Sequence, residues 1–239
     1  MAKPDKGAAS MIEDPPLITM RRKVPRPTAA QIAALQGTPT GFLVDAMQGR
    51  GALAPAIKPV IADQDVFCGV ALPVHVGPAD NLAVMVALGI VQAGDVIVAA
   101  ADGYLETAVT GDLVLGMLKN NGAVGFVTDG CARDVIGIRD MGLPCFAAGI
   151  TPNSPVRNGP GTVNLPVVCG GVAVGPGDLV IADCDGVVIV PFAQIDHVIE
   201  SLKGVLAAEA ALLPRVKAGL LKPDWLDGMM AGGAIKTID

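Results

Sequence analysis

Short runs of consecutive apolar residues alternate along this chain with stretches whose apolar residues recur three and four apart. That mixture predicts strands buried on both faces, interleaved with helices. Pro27-Thr28 opens a helix through Leu35, with Thr28 as N-cap. Thr38-Pro39-Thr40 repeats the start signal for a second helix, which runs to Gln48-Gly49 and ends at glycine. Strands are expected at Lys58–Ala62 and Val66–Val76, after which Asp80 caps an all-apolar helix to Gln92. Ala93-Gly94-Asp95-Val96-Ile97-Val98-Ala99 is echoed by Pro176-Gly177-Asp178-Leu179-Val180-Ile181-Ala182. In each, Gly-Asp makes a tight turn that launches a buried strand, which accounts for Asp95 and Asp178 better than a binding role does. Cys145–Gly149, Val167–Val174 and Val187–Val190 supply further strands. Phe192 to Ala218 predicts a long helix with Ile195, Val198, Ile199, Leu202, Val205 and Leu206 on one stripe, ending at Gly219. Residues 1–14 are expected to form a flexible tail and 15–239 one α/β domain, a layered sandwich with a mixed sheet. Trp225, the single tryptophan, is expected to pack on a partner or on the domain body.

Composition narrows this picture. Hydrophobic residues make up 51% of 239 and aromatics only 3%, so Val, Ile, Leu and Ala must build the core. A net charge of −6 argues against binding a nucleic-acid backbone. Arg21-Arg22-Lys23 with Arg26 forms the only basic cluster and reads as a solvated arm. The cysteines (Cys68, Cys131, Cys145, Cys169, Cys184) are scattered without a CxxC pair, as expected of reduced side chains in a cytoplasmic protein. Only His75 and His197 are present, and neither has an acidic neighbour in sequence. A Cys-His nucleophile at Cys131 and a histidine zinc cage are therefore disfavoured. The N-terminus lacks the apolar core of a signal peptide, and Leu82–Val91 is about half a membrane span.

The chemistry concentrates in Thr110-Gly111-Asp112-Leu113 and Thr128-Asp129-Gly130-Cys131-Ala132-Arg133-Asp134-Val135. Between them lie the helical pattern Val114–Gly122 and the strand-like run Ala123–Val127. The order is helix N-terminus, helix, strand, then a loop carrying Arg-Asp. Gly111 brings backbone close to a ligand, and the free N–H groups of a helix start meet an anion. Arg133 offers a fork for a carboxylate, and Asp134 is a hard oxygen ligand for a divalent cation.

Asp112, twenty intervening residues and then Arg133-Asp134 resemble the signature of the class II 4-hydroxy-4-methyl-2-oxoglutarate / 4-carboxy-4-hydroxy-2-oxoadipate aldolases. Their superfamily also contains the regulator of ribonuclease activity A. Similar segments are Gln48–Gly51 and Gly77–Asn81 upstream, and Gly161–Gly171 and Pro176–Val187 downstream. The resemblance implies an α-β-β-α sandwich with a mixed β core and a long C-terminal helix. It also implies cleavage of a 4-hydroxy-2-oxo acid to pyruvate and a second oxo acid, with oxaloacetate decarboxylation at the same site. The family's trimers and hexamers imply a homo-oligomer.

By the same resemblance Asp134 is the direct ligand of Mg²⁺ or Mn²⁺, and Arg133 holds the pyruvyl group and stabilises its enolate. The backbone of Gly111, Asp112, Leu113 and Val114 binds the carboxylate, and Asp112 supports metal waters or carries a proton. Glu209 would reach the metal waters of a neighbouring subunit. Its surroundings Ala207–Ala211 are poorer in charge than is usual in the family. The competing readings are a first-turn acid for Asp112, a loop ion pair or cap for Arg133-Asp134, and a solvated Glu209. Asp129 fits either a site or a turn, and Asn81 either touches substrate or joins the Asp80 cap. An imine mechanism would need a buried lysine; Lys119, on the site helix but at its far end, is the only candidate near the signature. The rival function is a non-catalytic, protein-binding regulator, and a third is a related enzyme acting on another oxo acid.

Overall fold

The computed structural model describes residues 15–62, 66–233 and 235–238. The 1–14 tail expected from sequence lies outside them. The chain runs β1 (Ile18–Met20), α1 (Ala29–Leu35), α2 (Thr40–Ala46), β2 (Lys58–Pro59), β3 (Phe67–His75), α3 (Leu82–Ala87), β4 (Asp95–Ala100) and β5 (Ala108–Thr110). It continues through α4 (Asp112–Asn120), β6 (Gly125–Ala132), α5 (Val135–Met141), β7 (Cys145–Ile150), β8 (Gly161–Val163), β9 (Val167–Cys169) and β10 (Val172–Val174). The last elements are β11 (Leu179–Asp183), β12 (Gly186–Val190), α6 (Ile195–Lys217) and α7 (Trp225–Ala231).

Strands β3, β4, β6 and β7 are parallel neighbours in a ten-stranded mixed sheet. The long β3 forks: its first half pairs antiparallel with β11 and its last residues antiparallel with β8. Alternation along the strands then sorts the core into interfaces. Ile97 and Ala99 of β4 pack with Leu115 and Leu118 of α4 and Val84 of α3. Val96 and Val98 point the other way, against Val180 of β11 and Ile189 of β12. Val188 and Val190 of β12, with Leu179 and Ile181 of β11, bury Leu43 of α2 and Ile195, Val198 and Leu202 of α6. Helices, strands, strands and helices thus stack in the order expected. Each fully buried Val, Ile or Leu contributes about 1.5–3 kcal/mol, so the aliphatic layers replace the missing aromatics.

Local signals hold where chemistry close in sequence decides. Thr28 and Gln31 form a reciprocal capping box at α1. In the twin turns the Asp95 carboxylate accepts from Gln92 N–H at 2.8 Å and that of Asp178 from Gly175 N–H at 2.7 Å. Gly94 and Gly177 both take positive φ there, 85° and 88°.

Several boundaries differ. Val167–Val174 is not one strand but the hairpin β9–β10, reversed at Gly170 and Gly171, both at positive φ. The helix after Asp80 stops at Ala87; Gly89, Ile90 and Val91, poor helix formers, continue as turns. The Asp129 region, read as loop, is strand: β6 extends to Ala132 because β5 and β7 pair with its far end. The basic arm is not merely solvated, since Arg26 lies 2.7 Å from the buried Asp95 carboxylate. His75 has an acidic partner after all, Asp102 at 2.9 Å, contributed by the loop after β4. Trp225 stands 62% exposed on α7 instead of packing on the body. No helix among the described residues is long and apolar enough to cross a membrane.

Candidate functional site

At the carboxyl ends of the parallel strands the chain leaves β5 for α4 through Gly111 and leaves β6 for α5 through Arg133-Asp134. This is where open α/β sheets place ligands. The two exits are tied together, because Arg133 N–H donates to Thr110 C=O at 3.1 Å. They enclose a cavity of about 630 Å³. Residues 110–114 line one side, Arg133 and Asp134 the base, Asn81 and Met85 a second side, and Ser154–Arg157 a third.

Asp134 adopts a left-handed backbone at φ 61° and ψ 44°, a conformation that costs most residues but that Asp tolerates. It holds the N-cap position of α5, yet its side chain makes no capping bond. The carboxylate lies 3.1 Å from Arg133 Nε. Arg133 also donates through Nη1 to the Ser154 hydroxyl. Gly111 has no room for a side chain: a methyl there would lie 2.6 Å from Asp134 Oδ2. A side chain there would push the Asp134 carboxylate aside, although the φ of −154° at Gly111 is ordinary extended backbone.

Asp112 opens α4 with its carboxylate accepting from its own neighbour, Leu113 N–H, at 2.7 Å. One of the backbone donors expected to bind a substrate carboxylate is thereby occupied in this structure. Gly137 of α5 passes so close to Asp112 that a Cβ there would strike the carboxylate. The two helices thus fix Asp112 beside the cavity as first-turn acid and neighbour of Arg133-Asp134 together.

Asn81 does not cap α3: its Nδ2 donates to Val109 C=O at 3.1 Å, while its buried Oδ1 has no partner. Thr110 Oγ1 is likewise buried and unpartnered. Both residues line the cavity, and unsatisfied buried oxygens are uncommon enough to point to a ligand. The cap belongs to Asp80, which accepts from Leu82 N–H at 2.7 Å and, on the 151–160 loop, from Asn158 and Gly159 N–H at 2.5 and 2.9 Å. Asp129 lies apart from the cavity lining, buried on β6. It accepts from Ala101 N–H at 2.7 Å and Gly170 N–H at 3.3 Å, holding β4 to the β9–β10 hairpin.

Glu209, partly exposed on the far half of α6, does not line the cavity of its own chain. Lys119 is exposed and donates to Met141 C=O at 2.7 Å, away from the cavity lining. Cys131 is buried; desolvation first and the Glu106 charge second raise its thiol pKa, opposite to what a nucleophile requires. Sequence reasoning missed Thr110, Ser154 and Arg157. Thr110 could have been found beside Gly111, whereas the loop residues carry no local signal.

Among the described residues no three His, Cys, Asp or Glu side chains gather as a ready-made metal cage. The cavity's oxygen donors are hard: the Asp134 and Asp112 carboxylates, the Ser154 hydroxyl and the orphaned Asn81 and Thr110 oxygens. Such a set fits a hydrated cation of the Mg²⁺ or Mn²⁺ kind, which keeps much of its water, better than it fits zinc.

Comparison with known proteins places the chain in a family. The RraA-like family, described as Aldolase/RraA, matches residues 40–189. A Halalkalibacterium halodurans protein with the provisional name 4-hydroxy-4-methyl-2-oxoglutarate aldolase is 39% identical over 180 residues, covering 75% of this chain and 85% of that one. An uncharacterized protein of Pseudomonas syringae pv. tomato superposes with a TM-score of 0.72 at 25% identity, over 82% of this chain and 96% of that one. Streptomyces coelicolor RraAS2, described as an unusual member of the RNase ES inhibitor RraA family, superposes with a TM-score of 0.70 at 28% identity, over 80% and 100%. Matched over more than half its length, with an aldolase-named relative beside it, this chain belongs to the RraA-like family.

Proposed function

We propose that the protein is a divalent-metal-dependent aldolase that cleaves a 4-hydroxy-2-oxo acid to pyruvate and a second oxo acid, and that also decarboxylates oxaloacetate. The observation that carries this reading is the Arg133-Asp134 pair, set at the base of a cavity against a glycine that leaves its carboxylate room. Cleavage transfers the C3–C4 bond pair toward the C2 carbonyl as the C4 hydroxyl loses its proton, leaving a pyruvate enolate that is protonated at C3. Loss of CO₂ from oxaloacetate places the same charge on the same oxygen. Arg133 is positioned by Asp134 and Ser154 to donate to that oxygen or to the adjacent carboxylate. The N-terminus of α4 adds positive potential, and Asp112 is the acid nearest to hand for proton transfer. Asp134, with Asp112 behind it, would hold Mg²⁺ or Mn²⁺. When bound, the ion supplies Lewis-acid polarisation of the oxo group.

Assembly belongs to the same proposal. Leu113 and Ile136, which flank the Asp112 and Asp134 loops, are 70% and 74% exposed, and Met117 on the cavity wall is 39% exposed. Apolar side chains around a polar cavity suit burial by a neighbouring subunit in a trimer or hexamer. Glu209 would then enter a site from the adjacent chain.

A panel of oxo acids assayed with Mg²⁺ and Mn²⁺ tests the function. Pyruvate release that stops in EDTA and returns with metal supports it, whereas turnover in excess EDTA, or a borohydride-trapped lysine adduct, rejects the metal mechanism. Absence of turnover on every oxo acid, together with capture of a ribonuclease, would favour the regulator reading. Mixing Asp134→Ala with Glu209→Ala subunits restores activity if the site is shared, and a monomer by light scattering rejects the assembly.

A further inference from the structure

At the opposite, amino end of the parallel strands lies a second cavity, of about 360 Å³, that shares no lining residue with the first. Its roof is the segment between β1 and α1, the basic arm of the sequence. Asn164, itself buried, donates through Nδ2 to Arg21 C=O at 3.0 Å and fixes the arm at one end. At the other end the Pro25 carbonyl sits so close to Gly177 that no Cβ would fit, and Arg26 reaches the buried Asp95. The floor is Ala71 and Leu72 of β3.

Between these anchors Arg22 and Lys23 line the cavity with no hydrogen-bonding or ionic partner among the described residues. Three cations of the arm therefore surround a cavity in which Asp95 returns a single negative charge, on a chain that is acidic as a whole. A mobile arm would let such charges separate into solvent; this one is pinned at Arg21, Pro25 and Arg26. Gln92 and Asn164 add neutral polar groups at the wall. The excess of two positive charges, carried by exposed side chains on a backbone pinned over a small cavity, matches a compact dianion. A phosphate oxygen set and a pair of carboxylates both meet that description, since guanidinium forks accept either.

We propose that the cavity beneath the 21–26 arm is a binding site for a small dianion, distinct from the Arg133-Asp134 site. Arg22 and Lys23 make the contacts, and Arg26, shared with Asp95, sets the position of the arm.

The test is calorimetric titration of the full-length protein with inorganic phosphate and, separately, with succinate, at constant ionic strength. The expected result is saturable binding of one ion per chain for at least one of them, and the preferred ion identifies the source class. Arg22→Ala combined with Lys23→Ala weakens that binding by about tenfold or more, because two charge-assisted bonds are lost. Arg133→Ala leaves it within about twofold, a change worth less than one such bond. Both substituted positions are exposed, and an unchanged melting temperature verifies the fold of the double variant. Equal affinity in the double variant, binding lost in Arg133→Ala, or weak uptake at many sites per chain would each overturn the proposal.

Discussion

The two ends of the parallel sheet use aspartate in opposite ways. At the amino end Asp95 and Asp178 are buried, and their oxygens are spent on the chain itself. Asp95 takes Gln92 N–H and pairs with Arg26, whereas Asp178 takes the N–H groups of Gly175 and Phe192 at 2.7 and 2.8 Å. At the carboxyl end Asp134 occupies a cap position, yet its oxygens do not cap; they face Arg133 and the space that Gly111 leaves. The contrast separates carboxylates spent on turns from the one that the proposed chemistry needs free of its cap. Backbone donors hold both oxygens of Asp178 and one of Asp95, whereas Asp134 takes no backbone donor at its cap and adopts a left-handed φ beside Arg133.

That contrast is broken most directly by removing Asp134. Asp134→Ala is expected to lower kcat by at least about 10³-fold, since several kcal/mol of Lewis-acid stabilisation disappear, while urea unfolding loses only the roughly 1–2 kcal/mol that alanine costs at this left-handed position. Retained turnover would return Asp134 to the structural class. Arg133→Lys comes next. Lysine keeps the charge but not the planar fork, and about 2–4 kcal/mol of barrier stabilisation is lost by analogy with oxyanion-hole deletions. Steady-state decarboxylation of oxaloacetate measures this, and kcat/KM within about threefold of wild type, under 1 kcal/mol, would make Arg133 a scaffold residue.

For the amino end the expectation reverses. Asp178→Ala strands two backbone donors and is expected to cost about 2 kcal/mol of stability in urea unfolding while the kcat of the folded fraction stays unchanged. A loss of kcat at full stability would mean that the turn communicates with the site.

The smallest effect is in pH. Desolvation outweighs the backbone donors and raises the carboxyl pKa values of both Asp95 and Asp178 above the ordinary carboxylate value. The folded state therefore binds these protons more readily than the unfolded state does. Their charged forms cost stability at neutral pH, and the cost is relieved as pH falls through the folded pKa toward the ordinary value. Melting temperatures across that window should show wild type gaining on Asp178→Asn as pH falls. A gap that widens at neutral pH in favour of wild type would contradict the sign.

Much of this was legible in the sequence, for particular reasons. The Thr28 cap, the twin Gly-Asp turns and the Asp112 start of α4 are signals that span three or four residues, and all appear where expected, the Thr28 cap completed by Gln31. The proximity of Asp112 to Arg133-Asp134 was legible only as a spacing, and the structure supplies the reason: β5 and β6 are parallel neighbours with exits side by side. Illegible features depend on partners far along the chain. Asp129 reads as a turn residue until Ala101 and Gly170, 28 and 41 positions away, claim its oxygens. His75 finds Asp102 across 27 positions, and the basic arm finds Asp95. Ser154 and Arg157 reach the cavity on a loop held by Asp80, Ala79, Asn81 and Ala108, far from it in sequence.

That loop has a bearing on how such a protein changes over generations. Residues 151–160 are pinned near Asp80 by Asn158, Gly159 and the Val156 bridge, and at Ala108 by Asn153. Between those rivets Ser154, Pro155 and Arg157 form one wall of the cavity and belong to no strand or helix. Ser154 also accepts from Arg133 and is tied to the pair, but substitutions at Pro155 and Arg157 can alter what the cavity admits without disturbing the sheet or the Gly111 cradle. The wall is in effect an exchangeable faceplate, so that rewriting a few of its residues reshapes the cavity while the scaffold behind it stays in place.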